Sequence, residues 1–347
     1  MKVAVVGAGV VGLSATACLG RAGVDVVCFE RSVAAMGERS AGSSRIFRLA
    51  HVEPDLVRLA MSAQNGFARW AAEADAPMVD RSGCVISGVD VGDRAAAMDA
   101  AGAPYEIVDA PSPRVRLPAV AAPSPVLVDP AGGVVDVDAI RALLVTQTGH
   151  VVVHEPVYAL DCDAAAGATV WSPSGASRYD AVVIAAGAGT SALAGQVGIY
   201  TPPSLVHHVR FTFSIDDSSR WQAWIDNPVQ GMGTYQHRSG PRQWSIGGSV
   251  DPALTAWEMG RDKATAASQE AVLNYVRHRL TVQPTIIDSL YCTHVPNRGD
   301  GIEFRRNGPV LAVYGENLMK FAPVLGEALT AATVAGTTPT VRQLAAS

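Results

Sequence analysis

The feature that most constrains this chain is Gly7-Ala-Gly-Val-Val-Gly12, set directly behind Lys2 to Val6, which reads as a short buried strand. Leu13 to Gly23 has helical character, and Val24 to Phe29 reads as a second strand ending in Glu30. A strand, a glycine loop, a helix and a second strand in that order form the unit that holds a dinucleotide. Gly7 permits the tight turn, Gly9 lets backbone approach a pyrophosphate, and Gly12 lets the helix pack closely on the strand. The N–H groups left over at the helix start then face the phosphates, with Ala8, Val10 and Val11 completing the loop. Glu30 follows Gly12 by 18 residues, close to the ~20 expected of the carboxylate that bonds an adenosine ribose. An acid there disfavours a 2′-phosphate, so NADP is not expected, and Arg31 borders the same end. The loop alone does not separate NAD from FAD.

The same N-terminal run, Val3 to Gly20 behind Lys2, imitates a signal peptide or a membrane span. Its four glycines, the Arg21 that ends it and the lack of a small-residue cleavage stretch argue against both. No other segment reads as long and apolar enough to cross a bilayer. Of the 347 residues 48% are apolar and 17% charged, enough core for roughly two domains. A net charge of -5 offers no basic surface for nucleic acid or anionic membrane. Five scattered cysteines without a CxxC pair give no disulfide framework and no zinc spacing, so no metal is expected and a reducing cytoplasm is the simpler location.

Two distant segments decide the cofactor. Tyr179 to Thr190 is an apolar strand ending in a small-residue turn, and Pro309 to Gly315 leads through a short loop to a helix near Phe321–Leu329. A nucleotide fold assembled from three separated pieces is the habit of FAD enzymes. The expected architecture is α/β. A discontinuous Rossmann-type FAD-binding domain (1–75, 134–201 and 297–347) would carry an inserted α+β substrate domain built on an antiparallel sheet (76–133 and 202–296).

Four stretches resemble the D-amino-acid oxidase superfamily, and within it the monomeric sarcosine oxidase and N-methyltryptophan oxidase branch. They are Val5 to Leu13, Gly42-Ser-Ser-Arg-Ile-Phe-Arg48, Asp180 to Gly187 and Lys320 to Gly326. The resemblance implies that Gly42, Ser43, Ser44 and Arg45 run along the flavin ring. It places Arg48 and Lys320 at a substrate carboxylate, with His51 a candidate polar contact near the ring. Val157, Ala186, Gly187, Gly315, Leu318 and Met319 complete the implied cofactor contacts. Two fixed cations can clamp a small anion and aim its α-carbon, whatever the family. The chain also departs from the branch. Ser289 falls where the branch carries a flavin-linking cysteine, so non-covalent FAD is expected, with attachment at the displaced Cys292 as the lesser alternative. Gln243 to Ser249 lacks the branch's oxygen-activating lysine, and Gly315 to Met319 is shorter and lacks a second glycine, so the mouth of the site should differ in shape.

In the inserted part, alternation at Val209, Phe211, Phe213 and Ile215 reads as a half-buried strand, with further strands near Met232–Tyr235 and Trp244–Gly247 and an amphipathic helix over Ala264–Leu280. Pro104–Pro130 reads as irregular connection. Trp221, Trp224, Trp244 and Trp257, with Tyr235 and Tyr291, suit ordinary core packing better than an aromatic pocket. His207, His208, His237 and His294 show no metal spacing. The expected activity is oxidation of a carboxylate-bearing amine, an amino acid or a secondary or cyclic amine, to an imine, with oxygen the acceptor or, since the lysine is missing, another acceptor in its place. The alternatives are oxidation of a 2-hydroxy acid using another acceptor, and a non-catalytic NAD-binding protein. Beyond substrate and acceptor no nucleic acid or membrane partner is expected, and the chain should be a monomer or small homo-oligomer.

Overall fold

A computed structural model describes residues 1–163, 167–202, 205–216, 220–295 and 301–346. Pro296, residues 297–300 and parts of the expected substrate segment therefore lie outside the described residues.

Among the described residues the first sheet has six strands, in the order Ile302–Asn307, Val310–Gly315, Ala181–Ile184, Lys2–Val6, Asp25–Phe29 and Val152–Val153. Neighbours run parallel except in the Ile302–Asn307/Val310–Gly315 hairpin. Segments from both halves of the chain meet at its centre, where Val5 lies beside Val183 on one side and Cys28 on the other. Parallel strands are covered on both faces, and every residue of Val310–Gly315 is buried. One face is covered by the helix Val10–Arg21, buried continuously from Val10 to Leu19, and by the helix Ala322–Ala335. Ser14 Oγ donates to the Ala322 carbonyl at 2.8 Å, and a Cβ on Gly326 would lie 2.1 Å from Ser14 Oγ. The glycine is what lets these two helices touch backbone to backbone. The other face carries the three-stranded sheet of Ala159–Asp163, Gly167–Ser172 and Gly175–Tyr179 and the short helix Thr190–Gln196.

One expectation from composition fails here. Leu318–Ala335 has the length and mean hydropathy (1.3 over 18 residues) of a membrane span, so the N-terminal run is not alone in imitating one. In the fold 67% of that stretch is buried, as suits a core helix packed between a sheet and its neighbours.

The second large sheet has eight strands among the described residues. Their order is Ile286–His294, Val206–Ser214, Gln243–Gly248, Thr234–Gly240, Ala223–Asn227, Cys84–Gly88, Val126–Asp129 and Glu106–Val108. All pairs are antiparallel except Ala223–Asn227 with Cys84–Gly88. Two of its strands come from Pro104–Pro130, which is thus not wholly irregular. The helix Arg261–Arg279 packs on one face through Val272, Tyr275 and Val276. The strand Val206–Ser214 is not half-buried as its alternation suggests, because Arg210 and Thr212 on the supposedly wet side are buried as well. Trp224 and Trp244 are fully enclosed and Trp221 meets Trp244 edge-on, which is core packing.

Between the two sheets Ser44–Phe47 pairs with Gly133–Asp136. The Arg45 segment is therefore a strand with fixed register rather than a free loop, and this is what aims its side chains.

Candidate active site

The glycine loop takes the conformation that its residues require. Gly7 has φ +105°, and a Cβ there would lie 2.6 Å from the Ala185 carbonyl oxygen. A Cβ on Gly12 would lie 1.8 Å from the Gly7 carbonyl oxygen, so only glycine lets the helix start this close to the strand. Gly9 caps the helix, and the Val10 N–H donates to Ser40 Oγ at 3.1 Å. Glu30 is buried, one oxygen accepting from the Ala8 N–H at 2.7 Å and the other from the Ser32 N–H at 2.8 Å. The carboxylate thus locks the loop to the end of the second strand, and its remaining lone pairs face a cavity.

That cavity encloses about 620 Å³ and runs from Gly7, Gly9, Glu30 and Arg31 past Arg45, Arg48 and Cys292 to Lys320. It joins the glycine loop to the eight-stranded sheet, whose Ile225, Thr234, Tyr235 and His237 form the opposite wall.

The arginine strand supplies its charged side. Arg45 donates to the carbonyls of Ser44 (2.8 Å), Ala41 (2.6 Å) and Arg39 (3.1 Å). Burial and the neighbouring Arg210 push the Arg45 guanidinium down to about 10. Arg210 donates to the Ser44 carbonyl at 2.8 Å and approaches His237 Nε2 at 3.2 Å. Burial and these two arginines hold the His237 imidazole well below its ordinary value. An arginine facing Nε2 makes that nitrogen the acceptor, so Nδ1 carries the proton. Arg48 is buried, and its Nε donates to the Ala50 carbonyl at 3.1 Å, which also receives Arg94 at 2.6 Å. This turn is held from beneath by Asp129. Its Oδ2 accepts from the Leu49 (2.5 Å) and Ala50 (3.2 Å) N–H groups, its Oδ1 from those of Ala131 (3.0 Å) and Gly132 (3.1 Å).

The far end is built after the strand Val310–Gly315. Gly315 has φ +150°, and Asn317 takes the left-handed φ of +53° that a second glycine would adopt freely. Lys320 follows on a short turn and is buried, its Nζ 5.7 Å from the Phe321 ring centre. Glu316 is buried too, gripped by Arg39 at 2.8 and 2.9 Å and by His294 Nδ1 at 3.3 Å. Tyr235 Oη lies 2.6 Å from His208 Nε2, and its ring fills the space above Gly247, where a Cβ would come within 2.2 Å of it. The lysine-free stretch Gln243 to Ser249 supplies the neighbouring strand Gln243–Gly248. Burial pushes the Tyr235 phenol up, and burial with Arg210 and Arg45 brings His208 down to about 4.

Of the residues anticipated from the sequence, Gly7, Gly9, Val10, Val11, Glu30, Arg31, Arg45, Arg48, Val157, Ala186, Gly187, Gly315, Leu318, Met319 and Lys320 all line the one cavity. Ala8, Gly12, Gly42, Ser43 and Ser44 stand behind that wall and shape it. Ser43 Oγ donates to the Ser239 carbonyl at 3.1 Å, and Ser44 Oγ lies 3.0 Å from His237 Nε2. His51 is also off the wall, packing on Phe321 with ring centres 5.5 Å apart. Ser289 is exposed, whereas Leu290 and Cys292 line the cavity. An offset of three along a strand reverses the face, so counting along the sequence set the wrong residue against the cofactor space. Sequence reasoning missed Asp129, Arg210, Glu316 and Ser40 altogether. An arginine inside the apolar run Val209 to Phe213 was the readable clue to one of them.

A family model described as FAD dependent oxidoreductase matches residues 2–332. The structure is similar to NikD, an unusual amino acid oxidase essential for nikkomycin biosynthesis, with a TM-score of 0.83 at 21% identity over 97% of this chain and 95% of that one. It is similar to glycine oxidase from Geobacillus kaustophilus (0.76, 16% identity, 98% and 96% covered). It also resembles L-proline dehydrogenase from P. horikoshii (0.74, 13% identity, 97% and 94% covered). At these identities the likeness is one of fold. No curated protein matches the chain by sequence.

Proposed function

Because the chain belongs to the DAO family of FAD-dependent oxidoreductases, we propose that it oxidises the C–N bond of a small carboxylate-bearing amine to an imine. The observation that carries this reading is the convergence of Arg48 and Lys320, both buried, on the wall of the cavity that begins at the glycine loop. FAD fits the residues present: Gly9, the helix start at Val10 and the buried Glu30 form a pyrophosphate and ribose cradle. FAD held by Gly9, Val10 and Glu30 would supply the acceptor for a hydride from the substrate's α-carbon and a route for the electrons to oxygen.

The protein's part is orientation and charge. Arg48 and Lys320 hold the substrate carboxylate between two cations, which fixes the position of the α-carbon. Arg45 and Arg210 place positive charge along the same cavity, which would favour electron uptake by a bound flavin. Desolvation favours the neutral amine that hydride loss requires, and no side-chain base is needed for the transfer. On this reading FAD is held by these contacts without a covalent bond, and Cys292, a free thiol on the cavity wall, is the residue that would form one.

The test is anaerobic bleaching of the flavin by a panel of primary amino acids, N-methyl amino acids, cyclic imino acids and 2-hydroxy acids, followed by peroxide assay in air. Bleaching by 2-hydroxy acids and by none of the amines overturns the substrate reading. A colourless protein that takes up no FAD overturns the whole, and yellow retained in an acid pellet overturns non-covalent binding.

A further inference from the structure

His208, Cys292 and His294 lie on the neighbouring antiparallel strands Val206–Ser214 and Ile286–His294, with His208 directly opposite Cys292. Cys292 and His294 are two residues apart and therefore share a face. One donor atom from each of the three lies within 4.8 Å of the others. No spacing in the sequence marks this group, because the sheet rather than a local motif brings it together.

The two rings are already oriented. His294 Nδ1 is held by Glu316 Oε2 at 3.3 Å, and His208 Nε2 by Tyr235 Oη at 2.6 Å. Each imidazole is fixed through one nitrogen by an oxygen, which leaves the other nitrogen for the cluster. A carboxylate or hydroxyl on the outer nitrogen is how metal-bound imidazoles are commonly held. Two imidazoles and a thiolate suit a borderline-soft cation. Bonds of about 2.0–2.3 Å around a tetrahedral ion set donors roughly 3.5 Å apart, so small side-chain rotations close the group.

We propose that His208, Cys292 and His294 bind a thiophilic divalent cation of the zinc class, and that this cation and FAD exclude each other, since Cys292 and His294 are also cavity wall. As the S–metal bond forms, the Cys292 thiol releases its proton to solvent, the imidazoles give lone pairs, and water fills the fourth position. Arg45 and Arg210 stand near the thiol, so the site is weaker than a dedicated structural zinc site. The consequence is an inhibitory site: the cation displaces the cofactor from the protein.

The test uses the flavoprotein as purified. It is titrated with micromolar zinc chloride and desalted, then zinc is counted by mass spectrometry and flavin by absorbance. One zinc per chain should appear as flavin is lost, with excess FAD reversing both. Cys292→Ser and His208→Asn should each lower zinc retention by at least about tenfold, with thermal melting showing that the variants fold. Two variants guard against failure of either to fold. Absence of retained zinc, or retention unchanged in the variants, overturns the site. Zinc retained with flavin still bound overturns the exclusion, and flavin covalently attached at Cys292 overturns both by consuming the thiol.

Discussion

Replacing Asp129 by Asn should loosen the active-site arginine without touching it. The carboxylate has two separate duties: Oδ1 closes the local turn through Ala131 and Gly132, while Oδ2 reaches across to Leu49 and Ala50. An asparagine keeps one acceptor oxygen, which suits the turn, and presents its amide N–H₂ to the two N–H donors of Leu49 and Ala50. Two hydrogen bonds to a charged acceptor are lost, each about 1.5–3 kcal/mol. Part of this is offset because the carboxylate's burial cost disappears, and burial is the largest influence on the Asp129 carboxyl, raising it. A net loss of about 2–4 kcal/mol follows, or a Tm lower by roughly 5 °C. Asp129→Ala leaves all four N–H groups without the acceptor and should cost a further 1–3 kcal/mol or so. Ala50 also holds Arg48 Nε, so KM for the amine should rise about 10–100-fold in Asp129→Asn with kcat less affected. Urea unfolding followed by tryptophan fluorescence, beside steady-state kinetics, measures both. A stability loss below about 1 kcal/mol, or identical losses in the two variants, would refute the division of duties.

Three further outcomes are expected. Gly12→Ala forces the helix start away from Gly7 and should yield a folded but colourless protein, seen in the ratio of 450 nm to 280 nm absorbance. Arg48→Ala and Lys320→Ala should each raise KM by about 100-fold, with the double variant losing less than the product of the two, because either cation alone still fails to orient the carboxylate. Native thiol counting at pH 8 should find Cys162 reactive and Cys28 and Cys84 silent. Burial pushes both buried thiols up to about 12, leaving almost no thiolate, while Cys162 is only partly covered; reaction of either buried thiol before unfolding would contradict this packing.

The sequence was most legible where chemistry is local. The glycine spacing, the apolar strand on each side of it and Glu30 together dictate one backbone path, and the structure follows it. Gly42 to Arg48 was legible as a site but not as a strand, because its pairing partner, Gly133–Asp136, lies far along the chain. Asp129 could not be found from its neighbours, since a carboxylate beside Pro130 reads as any turn residue until Leu49 and Ala50 arrive. Ser289 was set against the cofactor by counting from a motif, yet a strand reverses faces at each step, so only the register with Val206–Ser214 settles which residue looks inward. The supposedly wet face of that strand misled for a different reason: a second layer, invisible in periodicity, covers it.

The strand Lys2–Val6 has Ala181–Ile184 as its parallel neighbour, and Val310–Gly315 stands beyond that. This arrangement sets a timetable for synthesis. At about 5–20 residues per second, the ribosome takes roughly 15–60 s to travel from the glycine loop to the strand that completes its sheet. Lys2–Val6 lacks a neighbour on one side until Ala181–Ile184 is made, and Ala181–Ile184 then lacks one until Val310–Gly315 is made. The sheet that carries the nucleotide motif is complete only once Val310–Gly315 has been made. A pause in translation anywhere between the glycine loop and Val310 lengthens that interval by its own duration.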